Sequence, residues 1–390
     1  MTLFDPHFEA ALHERNAQGT QRVLRAVTRN HGTIQREGRT LVDVASNDYL
    51  RLADHPLLRS RSAEWAQRYG TSARASRLVT GTLDLHEAVE EKIAAFKKTN
   101  SALLFASGWQ ANAAVIPALC ALSQAQTGHK ILAFTDRLNH ASLHHGFAAA
   151  GIRQNRFAHN DLVHLEHLLE RHADTPGLRM IVTESVFSMD GDRADIAALR
   201  AIADRHQALL YLDEAHSTGV LGQDGRGIAD GMADIIMGTC SKAMGGMGAF
   251  VAGSTAMRDY LTNFASGLIY STALPPSVLG AIDAAIEVLP TLNNARSMLH
   301  DGASHLRMRL HEAGLSTLDS STQIIPVVFG TAERTLSAAS RLDDAGFLVG
   351  AIRPPTVPQG SARLRLALHS GLNLDIIDNL ADIIIAEAAK

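Results

Sequence analysis

From residue 101 onward, short apolar runs alternate with stretches of helical pattern, and this alternation limits the possible folds more than any other feature of the chain. The runs are Ala102–Phe105, Ile131–Phe134, Met180–Thr183, Leu209–Leu212, Ile235–Met237 and Ala249–Ala252. Helical stretches such as Gln110–Leu122 and Ile196–Arg205 separate several of them. Runs this short and this uniformly apolar suit strands buried on both sides, in a mostly parallel sheet flanked by helices. Sheets of that kind bind ligands at the carboxyl ends of their strands.

The chain has 390 residues, too many for one small domain. It opens with a polar helical pattern over Phe8–Thr28 and a strand over Arg39–Val44. A helix over Asp84–Phe96 puts Leu85, Ala88, Val89 and Ile93 on one face and turns Glu87, Glu90 and Glu91 outward. After Leu274-Pro275-Pro276 come a long helical region from Val278 to Ala313, a strand over Ile324–Phe329 and a helix over Leu336–Ala345. Strands near Phe347–Ile352 and Arg363–Leu368 and a last helix from Asp375 follow. The expected class is α/β. Residues 1–50 form an N-terminal helix and strand segment, 51–285 a large domain with the sheet, and 286–390 a smaller α+β domain, with a helix crossing the boundary near 285.

Several function classes are excluded. The formal net charge is −4, without the basic patch that nucleic acid or a membrane surface would require. No stretch approaches the roughly 18 apolar residues of a membrane span. Met1–Glu14 lacks a basic region followed by an apolar core, so no signal peptide is evident. Cys120 and Cys240 are the only cysteines, which rules out a disulfide framework and suits a reducing cytoplasm.

Two strand ends carry the chemistry. Asp213-Glu214-Ala215-His216 follows the run Ala208–Leu212, and Ser241-Lys242 follows Asp234–Gly238. An acid at one strand end and a lysine at a later one suit an enzyme that holds pyridoxal 5'-phosphate. The lysine condenses with the aldehyde and the aspartate pairs with the pyridine nitrogen. Small residues from Gly238 to Gly246 leave room for a flat ring, and Thr239 and Ser241 can bind a phosphate. That segment alone leaves a solvated loop lysine equally open. The order Ser-Lys is not that of a P-loop, which also weakens the helicase family whose label is the string Asp-Glu-Ala-His. His216 could reach the cofactor's phenolic oxygen, although a lone histidine is usually a satisfied core residue. Ser107-Gly108-Trp109 joins a strand to a helix whose N-terminus would offer amides to a phosphate. His140 could stack on the ring and assist proton transfer, with Asn139 fixing its orientation.

Metal readings are weak. His140, His144 and His145 have no carboxylate or cysteine at ligand spacing, and His159, His164 and His167 read as a solvated helix face in a chain with 19 histidines. Glu184, Ser188 and Asp190 fall in what reads as a turn rich in Asp and Gly, and Gly219–Gly227 as an irregular loop. No metal site is expected. Near the C-terminus, Pro354, Pro355 and Pro358 would hold Arg353 on a stiff, extended segment. Arg363 and Arg365 share one face of a strand. Either could bind a carboxylate bidentately, though Arg363 better suits a surface salt bridge.

Together these segments resemble the α-oxoamine synthases, a family of fold-type I pyridoxal-phosphate enzymes. The similarity runs from Ser46-Asn47-Asp48-Tyr49-Leu50 through Asp213–Gly219 to beyond Arg365. The resemblance implies that Lys242 carries the cofactor, Asp213 its ring nitrogen, His216 its phenolic oxygen and His140 its face. It implies that Gly108, Trp109 and Thr239 hold the phosphate with Ser188 nearby. It further implies a homodimer with sites at the interface, where Ser271 and Thr272 reach the partner subunit's phosphate. Arg365 and Asn47 would hold an amino-acid carboxylate, and Arg25 and Arg353 the far end of an acyl substrate. The strings Arg156–Asp161, Val186–Asp192, Ile269–Thr272 and Ala351–Pro358 point within the family to condensation of L-alanine with a pimeloyl thioester of coenzyme A or carrier protein. Sibling condensations of glycine with acetyl-CoA or succinyl-CoA are the rivals. A non-catalytic scaffold would need none of Lys242, Asp213, His216 and His140 together. One departure is Gly70–Arg77, which replaces a glycine-rich run and sets Arg74 and Arg77 near the expected substrate mouth.

Overall fold

The structure is a computed structural model that describes residues 2–17, 20–30 and 33–389. Near the N-terminus lie β1 (Thr28–Asn30), β2 (Thr33–Arg36) and β3 (Arg39–Asp43). The central sheet is built from β4 (Ser101–Phe105), β5 (Leu132–Asp136), β6 (Gln154–Phe157), β7 (Arg179–Glu184), β8 (Ala208–Asp213), β9 (Ile235–Thr239) and β10 (Ala249–Gly253). The C-terminal part adds β11 (Ile324–Gly330), β12 (Phe347–Leu348), β13 (Gly350–Ile352) and β14 (Ala362–Ala367).

The central strands are ordered β4-β10-β9-β8-β7-β5-β6. β10 runs against β4 and β9, while β9, β8, β7, β5 and β6 pair in parallel. The strands that run one way therefore finish on one edge, at Phe105, Asp136, Phe157, Glu184, Asp213 and Thr239. β6 escapes the apolar pattern because it is an edge strand, and three of its four residues, Gln154, Asn155 and Arg156, are polar.

Alternate residues of a strand face opposite sides. Met180, Val182 and Tyr211 pack with Ala111, Val115 and Leu119 of the helix Gly108–Thr127. Ile181, Leu210 and Leu212 pack on the other side with Leu165, Leu199 and Ile202 of two further helices. Truncating one of these fully buried leucines to alanine would cost about 2–5 kcal/mol.

The helical region after Pro275 is two helices, Pro276–Val288 and Asn293–Glu312, parted by the turn Leu289–Thr291. Pro290 sits in that turn and has no N–H to continue the first helix. The helix Pro276–Val288 runs through residue 285. The C-terminal strands form a sheet ordered β11-β14-β13, while β12 pairs in parallel with β3 and so joins the N-terminal strands to the C-terminal part. Among the described residues, no helix is long and apolar enough to cross a membrane.

Two readings of the N-terminal third need correction. The helix is Asp5–Ala17, residues 20–27 are neither helix nor strand, and Gln18 and Gly19 lie outside the described residues. That helix buries no side chain, so no packed face extends it toward Thr28. Glu90 does not face outward. It is 8% exposed, accepts both guanidinium arms of Arg77 at 2.7 and 3.0 Å, and accepts the Leu104 N–H at 2.8 Å. Arg77 is thereby committed to the helix Asp84–Lys97 and is no loose charge at a substrate mouth, whereas Arg74 is exposed.

Candidate active site

A cavity of about 220 Å³ opens at the carboxyl edge of the central sheet. Ser107, Gly108 and Trp109 reach it from beyond β4, His140 from beyond β5, and Glu184 from the end of β7. Asp213 and His216 reach it from the end of β8, and Thr239, Ser241 and Lys242 from the end of β9. A larger cleft of about 610 Å³, lined by Arg77, Glu87, Glu91 and Arg258, holds none of these groups, so chemistry and not size marks the site.

Glu184 is the last residue of β7, in register with Asp213 on β8, and not part of a turn. Its Oε1 accepts the His140 N–H at 2.5 Å. Burial pushes its carboxyl group well above the usual range, and the Asp213 charge adds to the shift. Asp213 accepts the Ala215 N–H at 2.9 Å and the Asn112 amide at 3.0 Å. The Tyr211 hydroxyl donates to Asn112 Oδ1 at 2.7 Å, and Asn112 Nδ2 also donates to Ser142 Oγ at 2.9 Å. Ser142 Oγ is 2.8 Å from His140 Nδ1. One hydrogen-bonded chain therefore joins Asp213 to the His140 ring through Asn112 and Ser142. Sequence reading passed over both. The signal in the sequence is a lone asparagine within the mostly apolar stretch 111–122, and the structure buries it. Asn139 does not orient the His140 ring. Its amide donates to the Val182 carbonyl at 2.8 Å and anchors the loop.

Lys242 Nζ lies 2.7 Å from His216 Nε2. His216 Nδ1 lies 2.7 Å from the Tyr49 hydroxyl, which donates to Asn47 Oδ1 at 3.0 Å. The single hydroxyl proton of Tyr49 is spent on Asn47, so this network assigns the hydrogen of His216 to Nδ1 and leaves Nε2 to accept from Lys242. Burial, followed by the charges of Lys242 and Arg365, pushes His216 well below its ordinary value and keeps the ring neutral. Burial also lowers the Lys242 amine to about 8, against the attraction of Asp213 and Glu184. His140 is lowered by burial, with Asp213 opposing.

Ser107, also lining the cavity, caps the helix Gly108–Thr127, its Oγ accepting the Gln110 N–H at 3.1 Å. The cap aims the helix N-terminus at the cavity. Thr239 and Ser241, which also line the cavity, set two hydroxyls 2.8 Å apart. The Trp109 ring stands edge-on to His140 at 6.2 Å. An amine for an aldehyde, a buried acid for a ring nitrogen, and amides with hydroxyls for a phosphate form one donor set. That set fits pyridoxal phosphate.

The other candidates take varied positions. Arg365 is 8% exposed; its Nη2 donates to Asn47 Oδ1 at 3.2 Å and its Nε to the Ser188 carbonyl at 2.5 Å. Ser188 thus meets the site through its backbone, and its side chain does not line the cavity. Arg363 is no surface residue: it is buried and paired with Asp190 of the turn after β7. Ser271 and Thr272 do not line the cavity of their own chain, and Thr272 instead bridges Ser76. Arg25 is exposed in the segment 20–27. Arg353 follows β13 in a turn, not an extended arm: the Thr356 N–H donates to its carbonyl at 3.0 Å and the Pro354–Pro355 peptide is cis. His159 is not on a solvated helix face but lies between Asp136 and Asp192.

The chain belongs to the class I and II aminotransferases, whose family pattern matches residues 39–384, and it has the fold of the fold-type I pyridoxal-phosphate enzymes. Within that class it falls among the 8-amino-7-oxononanoate synthases. The 8-amino-7-oxononanoate synthase of Gluconacetobacter diazotrophicus is 56% identical over 383 residues, 97% of this chain and 96% of that one. The protein of that name from Geobacter sulfurreducens is 46% identical over 365 residues, 92% of this chain and 91% of that one. Among solved structures, 8-amino-7-oxononanoate synthase from Francisella tularensis matches with TM-score 0.77 and 28% identity, covering 90% of this chain and 98% of that one. A lysine-to-alanine variant of serine palmitoyltransferase from S. paucimobilis, with a bound PLP–myriocin aldimine, matches with TM-score 0.89 and 26% identity over 100% of this chain and 99% of that one.

Proposed function

We propose that this protein is a pyridoxal-phosphate-dependent acyltransferase of biotin synthesis. It would condense L-alanine with the pimeloyl group of a coenzyme A or carrier-protein thioester, releasing carbon dioxide and the thiol and forming 8-amino-7-oxononanoate. The observation that carries this reading is the convergence of Lys242, Asp213, His140 and His216 on one cavity.

Bound pyridoxal phosphate supplies a ring that draws electrons from the α-carbon of an attached amino acid. Lys242 would provide the amine that anchors the cofactor and, once released, the base that takes the α-proton. An amine near 8 suits both tasks. Asp213, steadied by Asn112 and the Ala215 N–H, would keep the ring nitrogen protonated. His140, backed by Ser142, would cover the ring face and hand over a proton as the β-keto acid loses carbon dioxide. His216 would orient Lys242 through Nε2 and reach the phenolic oxygen. The N-terminus at Gly108 and Trp109, with Thr239 and Ser241, would hold the phosphate. Arg365 with Asn47 would hold the alanine carboxylate. Arg25 and Arg353 would take the far carboxylate of the acyl chain.

A homodimer would complete the site. Leu78, Val79 and Tyr270 are large exposed apolar residues, at 53%, 74% and 85%, beside Ser271 and Thr272. A second copy covering this surface would receive Ser271 and Thr272 at its own phosphate. The test is turnover: purified holoenzyme should release carbon dioxide and thiol from L-alanine and pimeloyl-CoA. Faster turnover of glycine with acetyl-CoA or succinyl-CoA would overturn the assignment. Rates on coenzyme A and carrier-protein thioesters would decide the carrier.

A further inference from the structure

His159 bridges two aspartates outside the Lys242 cavity. Its Nδ1 is 3.1 Å from Asp136 Oδ1 and its Nε2 is 2.8 Å from Asp192 Oδ2. An imidazole donates from both nitrogens only when it is protonated, and two ionised carboxylates offer only acceptors. The Phe187 ring meets His159 edge-on, with centroids 4.3 Å apart. Burial opposes the charge, yet Asp136 and Asp192 raise His159 to about 10. His159, Asp190 and Asp192 are also close enough together to hold a metal ion. Two features argue against one: Asp190 is already neutralised by Arg363, and a metal would have to displace the bridging proton.

Each aspartate shapes a different loop. Asp136 closes β5, and its Oδ1 accepts the Leu138 N–H at 2.8 Å on the way to His140. Its Oδ2 accepts the Asn160 N–H, also at 2.8 Å. Asp192 closes the turn after β7, where its carbonyl accepts the Phe187 N–H at 3.1 Å. That turn presents the Ser188 carbonyl to Arg365 and the Asp190 carboxylate to Arg363. It is also pinned to the C-terminal part, because the Gly191 carbonyl accepts Thr322 Oγ1 at 2.8 Å. Gly191 has φ +69, and a Cβ there would press on the Ile324 carbonyl.

We propose that His159 is a positioning residue: it ties the loop of His140 to the turn of Ser188, and so sets Arg365 for the carboxylate of the amino-acid substrate. This rests on the reading of Arg365 given above. The test is steady-state kinetics on holoenzyme carrying His159→Gln, which can satisfy only one aspartate. The KM for L-alanine should rise about tenfold while the KM for pimeloyl-CoA stays within about twofold and cofactor absorbance is retained. A merely structural role would lower the melting temperature without that split, so an unchanged alanine KM overturns the proposal. Should His159→Gln not fold, Asp192→Asn serves in its place: alanine KM rising supports the proposal and an unchanged one overturns it. In the unaltered protein, a His159 ring that loses its proton near 6.5 by nitrogen NMR would also overturn it. If the unaltered protein binds alanine, seen as a change in cofactor absorbance, yet does not turn over pimeloyl thioesters, the functional reading falls. The effect of His159 on alanine binding then remains measurable.

Discussion

Lys97, buried, and Lys242, half-buried at the cavity, face adjacent acids, Glu214 and Asp213, and their surroundings differ. Neighbouring residues at the end of β8 turn to opposite sides, so Asp213 meets Asn112 while Glu214 meets Lys97. The Lys97 pair is closed. Its ammonium also donates to the Arg226 carbonyl, and Glu214 accepts the N–H groups of Ile228 at 2.6 Å and Ala229 at 2.8 Å. Gly227, with φ +93, leaves room for that carboxylate where a Cβ would collide with it. Such a pair can only hold the loop after β8. Lys242, by contrast, is hydrogen-bonded to a neutral imidazole, and the attraction of its acids does not overcome its burial. A buried lysine bonded directly to an acid is a brace. One given a neutral acceptor stays reactive.

The sharpest way to break this contrast is to remove each lysine. Lys242→Ala should lower kcat by roughly a thousandfold or more, with no loss of melting temperature, since a half-buried, partly desolvated amine is removed. Normal turnover by that variant would end the mechanism. Lys97→Met should instead strand a buried carboxylate and cost about 3–5 kcal/mol in chemical denaturation. Adding Glu214→Gln should recover most of it, and wild-type stability in the single variant would show that the pair braces nothing. Asn112→Ala should lower kcat about tenfold with little change in the KM for alanine, because it loosens both Asp213 and Ser142.

Reconstitution of the apoprotein with pyridoxal phosphate, followed by visible absorbance, should depend on the Lys242 amine. Only the neutral amine attacks the aldehyde, so the rate should fall as pH drops below about 8 and level off above it. Levelling only near the ordinary lysine value would show that burial does not activate this residue. The smallest effect is on stability. His159 has a raised value in the folded state, so its contribution is complete below its unfolded value near 6.5 and is lost as pH rises toward about 10. The melting-temperature gap between unaltered protein and His159→Gln should close over that range.

The strand ends carry the clearest local signal in the chain. Asp213, Lys242, His140 and Ser107–Trp109 were legible because each follows a short apolar run, and such runs announce the carboxyl edge of a parallel sheet. Glu184 was mistaken for a turn residue because one buried acid at the end of β7 looks, by composition, like the acidic loop that follows. Glu90 was set outward by helical spacing, yet Arg77 and the Leu104 N–H draw it in. Nothing local marks Arg77 as its partner. The polar edge strand β6 and the short extent of the helix Asp5–Ala17 were hidden for the same reason: each depends on what the segment packs against.

The order of apolar runs was enough to fix the class of fold, and the residue types at the ends of those runs were enough to indicate the cofactor, because both follow from spacing along the chain. Proton states and partnerships came only with packing. Asn112 lies 101 residues from Asp213, Lys97 lies 117 from Glu214, and Tyr49 lies 167 from His216. Helices packed on the sheet bring Asn112 and Lys97 to their acids, and the loop after β3 brings Tyr49 to His216. Burial lowers the Lys242 amine to about 8 and keeps His216 neutral, while the two aspartates keep His159 charged. Desolvation and charge pairing depend on distance in space, which the order of residues does not encode locally.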